Sequence, residues 1–160
     1  MTVKYIDAIT DRYNQLGYDA YRWFHADSPP AFAAMKKPLK DAKLGMLGTS
    51  GAYAVGQIAY HYKDDTSIRA ISKHTQDRDL RFAHITENYL PGGRSDPNCI
   101  FPLASLRQLE SEGVVGELAD EMLSCMGGVY SQRRVRDEML PAVIEKFEAQ
   151  KVDAVLFVPM

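Results

Sequence analysis

The most constraining feature of the sequence is a long amphipathic helix pattern followed directly by an apolar run. The helix pattern covers residues 135–151 (VRDEMLPAVIEKFEAQK), and the run after it reads VDAVLFVPM. A helix that leads directly into an apolar strand is half of a βαβ unit, and residues 122–126 form the preceding apolar run. Such units give parallel strands joined by right-handed connections. The sequence therefore predicts an α/β fold.

Further elements of the same predicted domain precede this unit. In chain order they are strands over residues 44–47 and 67–72, an extended segment over 81–85, and a helix over 101–113 with Leu103, Leu106 and Leu109 inward. Pro141 marks a kink or a fresh start in the last helix. We predict a small doubly wound α/β domain over residues 41–160, with a mostly parallel sheet and helices on both faces. The strands over 44–47, 122–126 and 153–158 should be parallel and largely buried.

Residues 1–40 are predicted to form an N-terminal helical arm. The apolar residues Val3, Ile6, Ile9, Tyr13 and Leu16 follow the spacing of one helix face. Gly17 is a natural end for that helix, and residues 18–24 are predicted to begin a second short helix. A linking stretch interrupted by three prolines follows over residues 25–42.

Composition and charge exclude several classes of function. A net charge of −2 gives no reason to expect nucleic acid or an acidic membrane as a partner. No apolar run is long enough to span a bilayer, and the N-terminus lacks the apolar core of a signal peptide. We therefore expect a cytoplasmic protein. Its two cysteines are expected to be free thiols, and the four histidines lack zinc spacing, so neither a metal nor a cofactor is predicted.

The loop LGTSG after the first strand is a candidate anion site. Glycine-rich turns after a strand expose backbone N–H groups, and Gly48, Thr49 and Ser50 are therefore predicted to contact substrate. The loop fits neither of the common dinucleotide or nucleotide phosphate motifs. The alternative is a tight turn in which Thr49 and Ser50 form only local hydrogen bonds.

A charged side chain within the second strand is a second candidate. Arg69 lies between apolar neighbours, and its charge requires a carboxylate or an anion as partner. Two interpretations remain open: an ion pair with Asp65 or Asp79, or an anchor for a substrate carboxylate, with Ser67 nearby.

The polar stretch over residues 84–99 is the third candidate. Loops rich in polar side chains often carry function, so Asp96 and Asn98 are predicted to bind substrate. Either of them is equally suited to capping the helix that begins near residue 102. Cys99 precedes two apolar residues and is expected to be a packed thiol, and Cys125 is expected to be inert. The chain thus offers no convincing nucleophile, and Cys99 and His84 are the remaining catalytic candidates.

Several short motifs in order resemble one enzyme family. They are D-T-S-I-R-A-I (65–71), D-P-N-C-I-F-P-L-A-S-L-R-Q-L-E-S-E-G-V-V-G (96–116), S-C-M-G-G (124–128) and the final V-D-A-V-L-F-V-P-M. Together they resemble the selenoprotein B family of glycine, sarcosine, betaine and D-proline reductases, over about residues 40–160. Six positions match its motifs without settled roles: Ser67, Arg69, His84, Asp96, Asn98 and Cys99. The chain departs from the family at Leu90, where relatives tend to carry an acidic residue, and this leaves the substrate open.

The resemblance implies a reductive cleavage of a C–N bond next to a carboxylate. In the family a selenolate does this chemistry, and partner proteins that carry thiols regenerate it. The strand similar to VDAVLFVP is followed at once by selenocysteine, or by cysteine in some members. We therefore expect selenocysteine in the full-length form. An end at Met160 has three explanations: a selenocysteine codon read as a stop, a deliberately chosen boundary, or a naturally short subunit.

A second interpretation belongs to a different class of function. The chain is then a non-catalytic α/β module that holds a small anion or assists assembly. For either function we expect a homo-oligomer that buries Phe157 or its neighbours, because an uncovered apolar strand seldom remains exposed.

Overall fold

The chain folds as an α/β protein built on a mostly parallel sheet, as the apolar runs predict. The computed structural model describes residues 3–20, 24–31 and 33–160. Two units are distinguished, Met1–Phe32 and Ala33–Met160. The strands are β1 (Lys43–Gly48), β2 (Ala52–Ala54), β3 (Arg69–Ser72), β4 (Leu80–Phe82), β5 (Glu117–Leu118), β6 (Glu121–Ser124) and β7 (Ala154–Val158). The α-helices are α1 (Tyr5–Gln15), α2 (Leu90–Ser95), α3 (Leu103–Ser111), α4 (Gln132–Arg134) and α5 (Leu140–Ala149).

The first unit contains α1, which confirms the predicted N-terminal helix. Gly17 follows it with φ +81°, a left-handed conformation that glycine adopts without strain. The predicted second short helix lies partly on residues 21–23, outside the described residues.

The main sheet has β1 at its centre. β7 runs parallel to β1 along its length, with register from Leu44↔Ala154 to Gly48↔Val158. On the other side, β5 pairs with the start of β1 and β6 with its end, and both are parallel to it. β3 is antiparallel to β6. The prediction of four strands in one sheet, three of them parallel, is therefore confirmed.

The predicted burial of the last strand is wrong. Within residues 33–160, β7 pairs with β1 alone and forms an edge of the sheet. Val155 packs in the apolar cluster that includes α5, but Phe157, two residues later on the same face, is 64% exposed. An apolar run predicts that a segment forms a strand of the sheet. It does not show whether another strand pairs with the second edge of that strand.

Helices cover both faces of the sheet, as predicted. On β1, Leu44 and Met46 belong to the cluster that contains Leu103 and Leu106 of α3. The alternate residue Leu47 belongs to the cluster that contains Val143 and Phe147 of α5. Gly45 allows α5 to approach closely, because a Cβ there would lie 2.7 Å from the Phe147 ring.

Two details differ from the sequence prediction. The extended segment near residues 81–85 is β4, which pairs antiparallel with β2 in a separate two-stranded sheet. The predicted helix over 135–151 begins earlier and contains a π-helical segment, Val135–Met139, directly before α5. Pro141 lies in the first turn of α5, where its missing N–H is tolerated. The π-helical segment continues into α5 without a break, so Pro141 does not start a separate helix, and a kink there stays a prediction.

Candidate functional site

The carboxyl ends of β1 and β7 meet at the same edge of the sheet. Thr49, which follows β1, donates its backbone N–H to the Val158 carbonyl at 3.1 Å. Its hydroxyl accepts the Met160 N–H at 2.8 Å and lies 3.3 Å from the Met160 carbonyl oxygen, to which it donates. Thr49 therefore holds the backbone that leaves β7. In open α/β sheets this edge is the usual position of a ligand site.

A glycine brings two more segments to this edge. Gly127 is exposed and donates its N–H to the Thr49 carbonyl at 2.8 Å. A Cβ built on Gly127 would lie 2.8 Å from Nε2 of His84, 2.9 Å from the Met160 carbonyl oxygen and 3.0 Å from the Thr49 carbonyl oxygen. We call these four residues, Thr49, His84, Gly127 and Met160, the tip cradle. A side chain at residue 127 would collide with the other three residues.

His84 is the titratable side chain of the tip cradle. It is 6% exposed, and its Nε2 is buried without a hydrogen-bond partner among the described residues. Its Nδ1 lies 2.6 Å from Oγ1 of Thr86 and accepts the Thr86 backbone N–H at 3.1 Å. Burial lowers the pKa of His84 below its ordinary value, although the Glu87 carboxylate acts in the opposite direction. The ring is therefore neutral at neutral pH, and the hydrogen-bonding capacity of its Nε2 is unused among the described residues.

The glycine loop forms a tight turn, which was one of its two interpretations. Besides the Thr49 N–H, the Gly51 N–H is also engaged, because it donates to the Cys125 carbonyl at 3.0 Å. Gly51 has φ +66°, and a Cβ there would overlap the Ala83 carbonyl, so glycine is required. Ser50 is fully buried, and its hydroxyl has no partner among the described residues. Both of these backbone N–H groups are therefore engaged within the protein. Contact between this loop and a substrate stays a prediction, and it would have to use side chains.

Arg69 is held by its own domain. Its guanidinium donates to the Ile58 carbonyl and to the Ser67 hydroxyl, both at 2.7 Å, and lies 4.3 Å from the centre of the Tyr60 ring. Asp65 lies 4.0 Å from it and accepts the Ser67 backbone N–H at 2.9 Å. These contacts match the structural ion pair with Asp65, and the carboxylate-anchor role stays a prediction.

Asn98 caps α3, which was one of the two interpretations of the polar stretch. Its side-chain oxygen accepts the Ser105 backbone N–H at 3.1 Å. Its amide donates to Asp77 at 2.8 Å and to Asp96 at 3.2 Å. Asp96 and Asn98 thus support the amino end of α3, and their contact with a substrate stays a prediction.

The two cysteines differ from each other. Cys125 is buried, and burial raises the pKa of its thiol to about 11. Cys99 is exposed, so the expectation of a packed thiol is wrong for it. The reason is the short 3₁₀ turn Pro97–Cys99, after which Phe101 is fully buried while Cys99 faces solvent. Across residues 3–20, 24–31 and 33–160, no group of three or more His, Cys, Asp or Glu side chains is placed to hold a metal.

Sequence reasoning did not single out three of these contributors. Gly127 lies in the S-C-M-G-G motif, but only the fold shows what a side chain there would meet. Thr86 lies two residues after His84, a spacing at which threonine often forms local hydrogen bonds. Nothing in the sequence pattern marked Tyr60 as part of a site. Its hydroxyl donates to the Ser124 carbonyl at 2.6 Å.

Comparison with known proteins identifies the family of the chain. The family model described as glycine/sarcosine/betaine reductase selenoprotein B matches residues 54–159, more than half of the chain. The chain belongs to this family. The match includes His84, Gly127 and the whole of β7, and it begins after Thr49.

A curated relative of this selenoprotein B family member has a named activity. The chain is 29% identical to D-proline reductase subunit gamma of Acetoanaerobium sticklandii over 129 residues, which are 80% of this chain and 52% of that protein. The chain spans about half the length of the curated relative it matches. No solved structure matches the chain. None of the helices in the described ranges has the length and apolar character to cross a membrane.

Proposed function

We propose that this chain forms the catalytic edge of a reductase subunit that cleaves a C–N bond next to a carboxylate. The reacting group is proposed to be a selenolate or thiolate that lies after residue 160. Membership of the family supports this proposal, as does the named activity of the D-proline reductase relative. The observation that carries it is the buried, unpartnered Nε2 of His84 in the tip cradle, where β7 ends. Buried polar atoms without partners are rare and require an explanation, since each costs about 1–3 kcal/mol.

The residues of the tip cradle fit such a group. Gly127 keeps a side chain away from Nε2, because a Cβ there would come within 2.8 Å of that nitrogen, and Gly127 itself is exposed. A selenocysteine would supply a nucleophile that is anionic at neutral pH. A hydrogen bond from the His84 ring would stabilise that charge, because hydrogen bonds to ions are about twice as strong as neutral ones.

The residues of this chain have separate proposed roles. His84 contacts the reacting group, and Thr49 fixes the backbone that presents it. The Ser50 hydroxyl, which has no partner among the described residues, is proposed to contact the small carboxylate substrate, with Gly48 and Thr49 beside it in the same loop. Arg69 and Ser67 are proposed to bind that carboxylate as well, and three of the five guanidinium N–H groups of Arg69 already donate, to Ile58, Ala59 and the Ser67 hydroxyl.

The overall reaction requires partners that carry thiols. In a reductive cleavage the C–N bond breaks, and one C–H bond and one N–H bond form. Two electrons and two protons are consumed, and two thiols of a partner protein supply them as they become a disulfide. We propose a cytoplasmic location, where thiols are kept reduced. We also propose a homo-oligomer that covers the exposed Phe157 on β7.

The first test is the coding sequence beyond the Met160 codon. The proposal expects a TGA codon, or a cysteine codon, followed in frame by a continuation that contains cysteine and histidine. A different stop codon with no continuation contradicts the proposal and favours the non-catalytic anion-binding or assembly module.

The second test measures reductase activity of the full-length protein. D-proline, glycine, sarcosine and betaine are each supplied with a dithiol and the partner proteins. Loss of a donor to a developing anion costs about 10²-fold or more in kcat, so His84→Phe, which keeps a ring but has no N–H donor, should lower turnover by that factor. His74→Phe is the matched control, because His74 is exposed. Equal turnover in both variants would contradict a role for His84.

A further inference from the structure

The ring nitrogen of His84 that faces Thr86 has two neighbouring donors of different kinds. The Thr86 backbone N–H points at Nδ1 from 3.1 Å, and its direction is fixed by the peptide plane. The Thr86 hydroxyl lies 2.6 Å from the same nitrogen, and it can rotate either to donate or to accept. The fixed donor therefore decides which nitrogen carries the proton.

The alternative tautomer has a clear cost. With a hydrogen on Nδ1, the ring N–H and the Thr86 N–H would point at each other, and the backbone N–H would lose its acceptor. With the hydrogen on Nε2, Nδ1 accepts from the backbone, and the rotatable hydroxyl can adjust. The second arrangement keeps every hydrogen bond on this side of the ring.

We infer that Thr86 is a positioning residue that holds His84 as the neutral Nε2–H tautomer, so that the tip cradle presents a hydrogen-bond donor. The site therefore takes a hydrogen-bond acceptor, either an anionic selenium or sulfur atom or a carboxylate oxygen. This inference deepens the proposed function and rests on it for the identity of that acceptor.

The other atoms of the tip cradle are hydrogen-bond acceptors, so the tautomer of His84 determines whether the cradle contains a donor. The Thr49 and Met160 carbonyl oxygens lie within 3.0 Å of the Cβ position built on Gly127. Both carry partial negative charge, so a cradle with a lone pair on Nε2 would contain acceptors only and would repel an anion. The Nε2–H group is the donor that makes the cradle compatible with an anion.

The surroundings of the ring favour the neutral form. Among the described residues, the charged side chain that acts on it is Glu87, which is exposed. The Glu87 carboxylate is also paired with Arg94 at 2.7 Å, which offsets its charge. Without a bound ligand, His84 is therefore a neutral ring, and its Nε2 carries an N–H group.

Nitrogen-15 NMR of the histidine rings in the full-length protein tests the inference. Two-bond ¹H–¹⁵N correlations distinguish a protonated from an unprotonated ring nitrogen. For His84 at neutral pH we expect Nε2 in the protonated range and Nδ1 in the unprotonated range. The exposed His74 should show values averaged between tautomers. A protonated Nδ1 in His84 would overturn the inference.

Two variants separate the fixed donor from the hydroxyl. Thr86→Val keeps the backbone N–H and should keep the Nε2–H pattern, and a switch of tautomer in this variant would overturn the role of the backbone donor. Thr86→Pro removes the N–H and should bring the nitrogen shifts of His84 to averaged values, once circular dichroism shows that it folds. If Thr86→Pro does not fold, the ¹⁵N spectra of the wild type and of Thr86→Val still test which nitrogen of His84 is protonated.

The NMR result is independent of turnover. A protonated Nδ1 would end the inference and leave the family reaction untouched. Absence of reductase activity in the full-length protein would contradict the proposed function without changing the tautomer.

Discussion

Replacement of Gly127 by alanine tests the geometry of the tip cradle. The added Cβ would lie 2.8 Å from Nε2 of His84, 2.9 Å from the Met160 carbonyl oxygen and 3.0 Å from the Thr49 carbonyl oxygen. Two of these atoms are backbone, and the Gly127 N–H is bonded to one of them at 2.8 Å, so residue 127 cannot move away without losing that bond. Overpacking of this kind costs about 1–3 kcal/mol. We expect Gly127→Ala to lower the free energy of unfolding by that amount.

Gly92→Ala is the matched control for this variant. A Cβ on Gly92 meets nothing within 4 Å, and Gly92 lies within α2. Alanine in a helix is about 0.5–1 kcal/mol more favourable than glycine, so this variant should be as stable as the wild type or slightly more stable. Thermal unfolding measures both, since each kcal/mol shifts Tm by about 2–4 °C in a chain of this size. Equal Tm values for Gly127→Ala and the wild type would refute the geometry of the tip cradle.

Three further predictions concern reactivity, pH and association. Cys125 should resist alkylation by iodoacetamide in the native protein at pH 7, because a pKa of about 11 leaves almost no thiolate; mass spectrometry of the labelled protein checks this. The folded protein lowers the pKa of His84, so the unfolded chain binds this proton more readily, and stability should fall as pH drops below about 6.5. Urea unfolding at pH 7 and pH 5 measures that loss, which should be smaller in His84→Gln. Light scattering should give a homo-oligomer that Phe157→Ser weakens, and a monodisperse monomer of the wild type would contradict this.

Much of the fold could be predicted from local pattern. The strands β1, β3, β6 and β7 coincide with apolar runs, and α3 has its leucines at helical spacing. Edge position is different, because it depends on which segments lie beside a strand. The sequence pattern predicts that Phe157 in β7 is a core residue, but its side chain is 64% exposed in the fold.

The candidate site was predictable only in part. Thr49 was selected by its position after a strand, and His84 by its residue type in a polar stretch, which are local properties. The contact between Thr49 and Met160 joins residues 111 positions apart, and the position of Gly127 beside His84 exists only once the strands are paired. Arg69 shows the opposite case. Its partners Ile58 and Tyr60 carry no charge pattern, so the sequence could not show that its donors were already engaged.

The measurement that tests the central claim most directly is alkylation of the full-length protein at about pH 6, with the modified residue located by mass spectrometry. We expect the selenol or thiol that follows Met160 to react first, and we expect His84→Phe to slow this reaction because the anion loses its donor. His74→Phe should leave the rate unchanged. If Cys99, the exposed thiol, is alkylated first and at the rate of an activated thiolate, the central claim is contradicted and Cys99 becomes the nucleophile.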